Sequence, residues 1–91
     1  MELLILFTDY YFATKAEQVL QAEGIKLRLI PTPPILNNTC GLCILIKPYN
    51  GDEDVRMEIK KQILQLLKGA NISHSGFYRY NRSTQECEKL I

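Results

Sequence analysis

The spacing of hydrophobic positions changes several times along the chain, and each change predicts a new element. Residues 3–7 form a continuous apolar run, which is typical of a strand buried on both faces. Thr8 and Asp9 then offer a helix N-cap. The apolar residues that follow share one helical face; they are Phe12, Ala16, Val19 and Leu20. Gly24 stands where the end of this helix favours glycine.

A period of two replaces the helical period after Gly24. Ile25, Leu27 and Leu29 alternate with two basic residues, which predicts a half-exposed strand at a sheet edge. Three prolines between positions 31 and 34 end this strand, because proline cannot donate a hydrogen bond to a ladder. Residues 41–47 are again densely apolar and predict a second central strand.

The second half repeats the helix and strand pattern. Residues 47–54 (KPYNGDED) predict a turn in which Asp52 or Asp54 caps the next helix. The buried stripe of that helix is Val55, Ile59, Ile63, Leu66 and Leu67, and Gly69 closes it. Residues 72–80 alternate loosely and predict a fourth strand, polar enough for a sheet edge. We therefore expect a single domain over residues 1–80, with residues 81–91 as a C-terminal tail or short extra turn.

The predicted order is β-α-β-β-α-β. The first and third strands are the most apolar, so they take the centre of an antiparallel sheet with the order 4-1-3-2. This is the α+β ferredoxin-like two-layer sandwich, with both helices on one face of the sheet. The opposite face would carry alternate residues of the central strands, including Leu4 and Leu6 or their neighbours. Because an apolar face is seldom left in water, we expect a homodimer or another partner there.

Composition and charge exclude several classes of protein. Eleven basic and ten acidic residues leave a net charge of +1, without the clustered basic face that nucleic acid or an acidic membrane requires. The apolar runs fall short of the ~20 residues of a membrane span, and the start of the chain lacks the pattern of a signal peptide. Three cysteines, an odd number, argue against a disulfide framework. We expect a cytoplasmic protein with reduced thiols.

Cys40 and Cys43 have C-x-x-C spacing, but the predicted topology gives them different surroundings. The first two strands run in the same direction, so the proline loop lies at the end of the sheet where the first helix begins. Cys40 is therefore expected near the backbone N–H groups of residues 9–12, and a helix N-terminus lowers the pKa of a thiol. Gly41 allows backbone or a ligand to approach closely. Cys40 is our candidate nucleophile.

Cys43 is interpreted as a packed side chain. If the third strand starts at Gly41, Cys43 points to the sheet face opposite that of Cys40. A thioredoxin-type pair needs both cysteines at the start of a helix, whereas this segment continues as a strand. We favour a small buried residue at Cys43 and keep a secondary, redox-active thiol as the alternative.

No other group of residues in the sequence predicts a metal site or a nucleic-acid-binding surface. A metal site needs three or four converging ligands, and the candidates Cys40, Cys43, His74 and Cys87 lack suitable spacing, so we expect neither a metal nor another cofactor. Five tyrosines could serve as stacking residues on an RNA-binding sheet, but the pattern of the central strands argues against this interpretation. The central strands of such an RNA-binding sheet would carry aromatic residues, and here they carry leucine and isoleucine.

The segment from Ala13 to Leu42, ATKAEQVLQAEGIKLRLIPTPPILNNTCGL, resembles the sulfur/selenium carrier protein-like family. The shared motif is an alanine–glutamate helix, a Gly-Ile pair, a Pro-Thr-Pro turn and a Cys-Gly step. In this chain its residues are Ala13, Ala16, Glu17, Leu20, Gly24, Ile25, Pro31, Thr32, Pro33, Cys40 and Gly41.

The resemblance implies that Cys40 carries sulfur or selenium, as a persulfide or selenosulfide, between donor and acceptor proteins. The supporting loop would be Pro31, Thr32, Pro33, Thr39 and Gly41. The chain would then be a carrier or binding protein rather than a self-sufficient enzyme. The alternatives are a non-catalytic ferredoxin-like interaction module and a small-molecule-binding sensor.

Two positions depart from the family pattern. An arginine usually follows Pro-Thr-Pro, and this chain has Pro34 there. An arginine would stabilise a thiolate or its anionic adduct, so the helix N-terminus is left as the main electropositive element near Cys40. A hydroxyl-bearing residue is often found shortly after the phenylalanine of the first strand, and here that position is Asp9.

Overall fold

The computed structural model describes residues 2–36, 41–46, 53–81 and 83–90, without the side chains of residues 53–56. The elements in chain order are β1 (Glu2–Leu6), α1 (Tyr10–Ala22), β2 (Leu27–Pro31), a 3-10 turn (Pro34–Leu36), β3 (Leu42–Ile46), α2 (Glu53–Gly69), β4 (Gly76–Asn81) and β5 (Glu86–Lys89). The first six strands and helices follow the predicted β-α-β-β-α-β order.

The strands form one antiparallel sheet in the order β2-β3-β1-β4-β5. Its first four strands have the predicted ferredoxin-like arrangement, and the two apolar runs, β1 and β3, lie at the centre. The prediction that the fourth strand is an edge was wrong, because β5 pairs with it through Tyr80 and Cys87. The segment expected to form a tail or an extra turn contains both a turn over residues 83–85 and β5.

Helix α1 begins and ends at the predicted residues. The Asp9 carboxylate accepts a hydrogen bond from the backbone N–H of Phe12 at 3.1 Å, so Asp9 is the N-cap. Gly24 follows the helix with a φ of +79°, and its N–H donates to the carbonyl of Gln21. Glycine adopts this left-handed conformation without the strain that a Cβ would introduce.

Helix α2 ends at Gly69, as predicted. Of its two predicted caps, Asp52 lies outside the described residues and Asp54 lies inside the helix, so Asp54 is not the N-cap. Of its predicted stripe, Ile63 and Leu67 are buried and two further members are half-buried. Beyond the helix, Asn71 has a φ of +58°, and the N–H of Ile72 donates to the carbonyl of Leu67 at 2.9 Å. This hydrogen bond turns the chain back toward the sheet.

The main core lies between the helices and one face of the sheet. Its residues from the sheet side include Leu3, Ile5, Ile44, Ile46 and Phe77 in the strands and Phe7 just after β1. Its helix residues include Ala13, Ala16, Leu20, Ile63 and Leu67. Both helices therefore pack on the same sheet face, as the sandwich architecture requires. In the described part of the chain, no helix is long and apolar enough to cross a membrane.

The opposite side of the sheet, which we call the open face, carries a second apolar cluster. Its members are Leu4, Leu6, Cys43 and Leu45, each at most 2% exposed. Leu36, from the 3-10 turn after β2, packs against this cluster, as do Ile30, Tyr78 and Tyr80. The cluster is thus buried within a single chain, so its burial does not require a second copy. The homodimer stays a prediction.

Candidate functional site

One end of the sheet brings together the ends of β1 and β2 and the start of β3. Leu6 in β1 pairs with Cys43, and Pro31 in β2 pairs with Leu42. Residues 7–9 lead from β1 into α1, so the helix N-terminus lies at this same end. The exit of the proline loop and the start of α1 are therefore at one end of the sheet, as the predicted topology requires.

A backbone hydrogen bond joins the two ends of the proline loop. The N–H of Thr32 donates to the carbonyl of Gly41 at 3.0 Å, one residue beyond the Pro31 and Leu42 pair. Within the loop, the N–H of Leu36 donates to the carbonyl of Pro33 at 3.0 Å. The Pro-Thr-Pro motif therefore continues the β2 to β3 ladder and then starts a single tight turn.

The two remaining site residues of the loop, Thr39 and Cys40, lie outside the described residues. Gly41, the next residue in the sequence, is exposed, and a Cβ added there would meet no heavy atom within 4 Å. Among the described residues, nothing therefore fills the space that a Cβ at position 41 would take.

The charge at the start of α1 is not purely positive. The carboxylate of Asp9 binds the N–H of Phe12, and the carbonyl of Asp9 accepts from the N–H of Ala13 at 3.3 Å. The negative charge of Asp9 offsets part of the positive helix end. Pro34, which follows the Pro-Thr-Pro motif, supplies no positive charge of its own.

Two exposed aromatic residues lie in the first turn of α1. Tyr10 is 61% exposed and Tyr11 is 62% exposed. The ammonium nitrogen of Lys15 lies 5.8 Å from the centre of the Tyr11 ring. Both tyrosines are therefore at the end of the sheet where the proline loop exits.

Cys43 is fully buried in the open-face cluster. By strand register it lies between Leu6 of β1 and Ile30 of β2, and the next residue, Ile44, belongs to the main core on the helix side. These surroundings agree with a packed side chain. A reagent in solution would reach Cys43 only if the cluster opened.

The remaining candidate ligands lie apart from one another. His74 precedes β4 and contacts Phe77 edge to face, with ring centres 4.9 Å apart. Burial lowers the pKa of His74. Cys87 lies in β5, and burial raises the pKa of its thiol. Over the described ranges, no group of three or more histidine, cysteine or acidic residues could hold a metal ion.

A cavity of about 580 Å³, which we call the proline cavity, separates the proline loop from the far strands. It is lined by Ile30, Pro31, Thr32, Pro33, Pro34, Ile35, Tyr80 and Gln85. The loop therefore extends over the open face as far as the turn before β5. Sequence reasoning missed this cavity because nothing local indicated which surface the prolines would cover.

Fold and site together define a ferredoxin-like α+β domain in which a closed proline loop leads into a Cys-Gly step. A family model described as "Putative Se/S carrier protein-like" matches residues 2–79, so the chain belongs to this family. This match confirms the resemblance seen in the first half of the sequence and extends it to β4. Neither a curated protein nor a solved structure matches this chain.

Proposed function

We propose that this chain carries sulfur or selenium on Cys40 between a donor and an acceptor protein. The observation that supports the proposal most strongly is the family match, which includes the whole proline loop and its Cys40-Gly41 step. The exposure of Gly41 supports it further, because a donor must reach the adjacent cysteine. A cytoplasmic location, where thiols stay reduced, belongs to the same proposal.

Loading follows the chemistry of thiol exchange. The Cys40 thiolate attacks the outer sulfur of a persulfide on the donor, and a new S–S bond forms on Cys40. The S–S bond of the donor breaks, and its electron pair leaves on the inner sulfur as a thiolate. The transferred sulfur keeps its proton, so neither an oxidant nor a reductant is consumed.

Unloading is the same exchange, now between the Cys40 persulfide of this chain and the acceptor protein. A thiolate of the acceptor attacks the outer sulfur of the Cys40 persulfide, and Cys40 leaves as a thiolate. An outer selenium atom in place of sulfur follows the same balance. The fold supplies the rigid exit of the loop, through the Thr32 to Gly41 hydrogen bond.

Protein partners are part of the proposal. Tyr10 and Tyr11 offer an exposed aromatic surface at the end of the sheet where a donor or acceptor would approach. Tyrosines of this kind often contribute strongly to protein interfaces. A homodimer through the open face would bury Ile35, which is 67% exposed beside the proline cavity.

A labelled donor tests the carrier function. The protein is incubated with a desulfurase that holds a ³⁵S persulfide, and the label is located on peptides after thiols are blocked. We expect label on the Cys40 peptide, its loss in Cys40→Ser, and its retention in Cys87→Ser. Equal labelling of Cys40→Ser and the wild-type protein would contradict the proposal.

The proline cavity favours one alternative, a small-molecule-binding module that does not use Cys40. The described residues that line it carry no charge, so it would suit a neutral ligand. A screen of neutral compounds by thermal stabilisation, carried out on wild-type protein and Cys40→Ser, distinguishes the two functions. Stabilisation that is equal in both proteins and lost in Tyr80→Ala, with no transfer of label to Cys40, would favour the module.

A further inference from the structure

A second cavity, of about 460 Å³, lies at the C-terminal end of α2, between the helix and the segment that enters β4. Leu64, Leu67 and Ile72 form its apolar wall, while Gln65, Lys68, Ser73 and His74 supply the polar groups. This volume falls within the range of small-molecule sites, about 300–1,000 Å³. None of these residues lines the proline cavity.

The two kinds of wall suit a ligand with two different parts. Leu67 and Ile72 are almost completely buried and belong to the main core, so the apolar wall is backed by close packing. The polar groups come from two successive segments, the last turns of α2 and residues 73–74. An apolar body with one polar end would contact both.

The carbonyl groups of two lining residues at the end of α2, Leu67 and Lys68, already accept hydrogen bonds. The carbonyl of Leu67 accepts from Ile72 at 2.9 Å and from Ala70 at 3.2 Å, and that of Lys68 accepts from Asn71 at 3.1 Å. The negative end of the helix dipole is thus partly neutralised. Among the described residues that line the cavity, Lys68 carries the charge.

His74 adds a hydrogen-bonding group that is not charged near neutral pH. Burial lowers its pKa, and its Nδ1 atom is buried without a hydrogen-bond partner in the described part of the chain. A neutral imidazole both donates and accepts, so it complements the Lys68 ammonium instead of repelling it.

We propose that this cavity binds a small carboxylate-bearing molecule with an apolar body. The carboxylate lies at Lys68, with Ser73 and His74 as hydrogen-bonding neighbours, and the body packs against Leu64, Leu67 and Ile72. The site uses neither Cys40 nor the proline loop, so it is a second function of the domain.

The sequence contains a single histidine, so the imidazole signals of His74 report on this cavity without ambiguity. The full-length protein is titrated at pH 7.5 with phenylacetate, and the His74 signals are followed by NMR. Phenylacetamide and 2-phenylethylamine, which have nearly the same shape, are the neutral and cationic controls. We expect a saturable shift with phenylacetate, about fivefold weaker binding of the amide, and still weaker binding of the amine.

Two lysine variants test the role of the charge. Lys68→Met keeps a long side chain and should weaken phenylacetate binding about fivefold, to the level of the amide. Lys26→Met, an exposed lysine before β2 that does not line the cavity, should bind like the wild-type protein. The whole titration is repeated on Cys40→Ser, where the same results are expected whether or not the carrier function holds.

Three results would overturn the inference. The first is a His74 signal that phenylacetate does not shift in a saturable way. The second is equal binding of phenylacetate and phenylacetamide, which would remove the carboxylate preference. The third is a Lys68→Met variant that binds as tightly as Lys26→Met.

Discussion

The Asp9 side chain stabilises α1 in two ways that mutation can separate. It accepts a hydrogen bond from the backbone N–H of Phe12, and its negative charge is attracted to the positive end of the helix. In Asp9→Ala both are lost, because the carboxylate that accepts the N–H of Phe12 at 3.1 Å is removed. Loss of such a cap costs about 1 kcal/mol of unfolding free energy. In a domain of this size, that corresponds to a decrease of roughly 4–8 °C in Tm.

Asp9→Asn is the matched variant, since an asparagine amide oxygen accepts the same hydrogen bond. It removes only the attraction between the carboxylate and the helix end, which contributes about 0.3–1 kcal/mol at an exposed site. We therefore expect Asp9→Asn to lie between the wild-type protein and Asp9→Ala in urea denaturation. An Asp9→Ala protein as stable as the wild type would refute the role of the cap.

Asp9→Asn also tests how the charge at the start of α1 affects Cys40. Removing the Asp9 carboxylate leaves the positive helix end uncompensated, so the Cys40 thiolate should be favoured. At pH 7, iodoacetamide should modify the Cys40 peptide faster in Asp9→Asn than in the wild-type protein, with the Cys87 peptide as the internal control. An unchanged Cys40 rate would show that the start of α1 does not act on this cysteine.

Three further predictions concern the fold. Gly24→Ala should lower the unfolding free energy by about 1 kcal/mol, because a φ of +79° is strained for alanine even where a Cβ meets no other atom. Gly69→Ala, at the end of α2, is the control and should not lower the unfolding free energy. Equal losses in the two variants would contradict this reasoning. Cys43→Ser should cost roughly 0.5–2 kcal/mol in urea denaturation, because a hydroxyl loses more hydration on burial than a thiol does, and Cys43→Ala should cost less if the hydroxyl is responsible. Burial lowers the pKa of His74 in the folded protein, so as the pH falls the unfolded chain takes up this proton at a higher pH than the folded chain does. The free energy of unfolding should therefore fall as the pH drops below about 6.5. His74→Gln should show a shallower decrease between pH 7 and pH 5, and an identical pH profile would contradict this assignment.

Local patterns predicted most of the fold because they are decided within a few residues. The Asp9 cap and the Gly24 terminus depend on a single helix turn each, and the two apolar runs could be stable only at the centre of a sheet. Strand β5 escaped prediction because its four residues, ECEK, have little apolar content. It forms because β4 offers it an unpaired edge, which is a property of the folded sheet.

The candidate site was predictable only in part, because some of its features depend on the folded sheet and not on a few neighbouring residues. Topology predicted that the exit of the proline loop, where Gly41 lies, is at the α1 end of the sheet, since that follows from strand direction alone. The packing of Leu36 against the open face depends on residues distant in the sequence, and so does the cavity at the end of α2. No periodicity in the chain encodes contacts of that kind.

The position of Leu36 constrains how a partner reaches the cysteine. Leu36 belongs to the packing of the open face, so a partner that drew the proline loop away from the sheet would also expose Leu4, Leu6 and Cys43 to water. That exposure opposes such a movement, because each buried side chain contributes about 1.5–3 kcal/mol. In the proposed carrier function, exchange would therefore take place with the proline loop held against the sheet, and the movement would have to come from the partner protein.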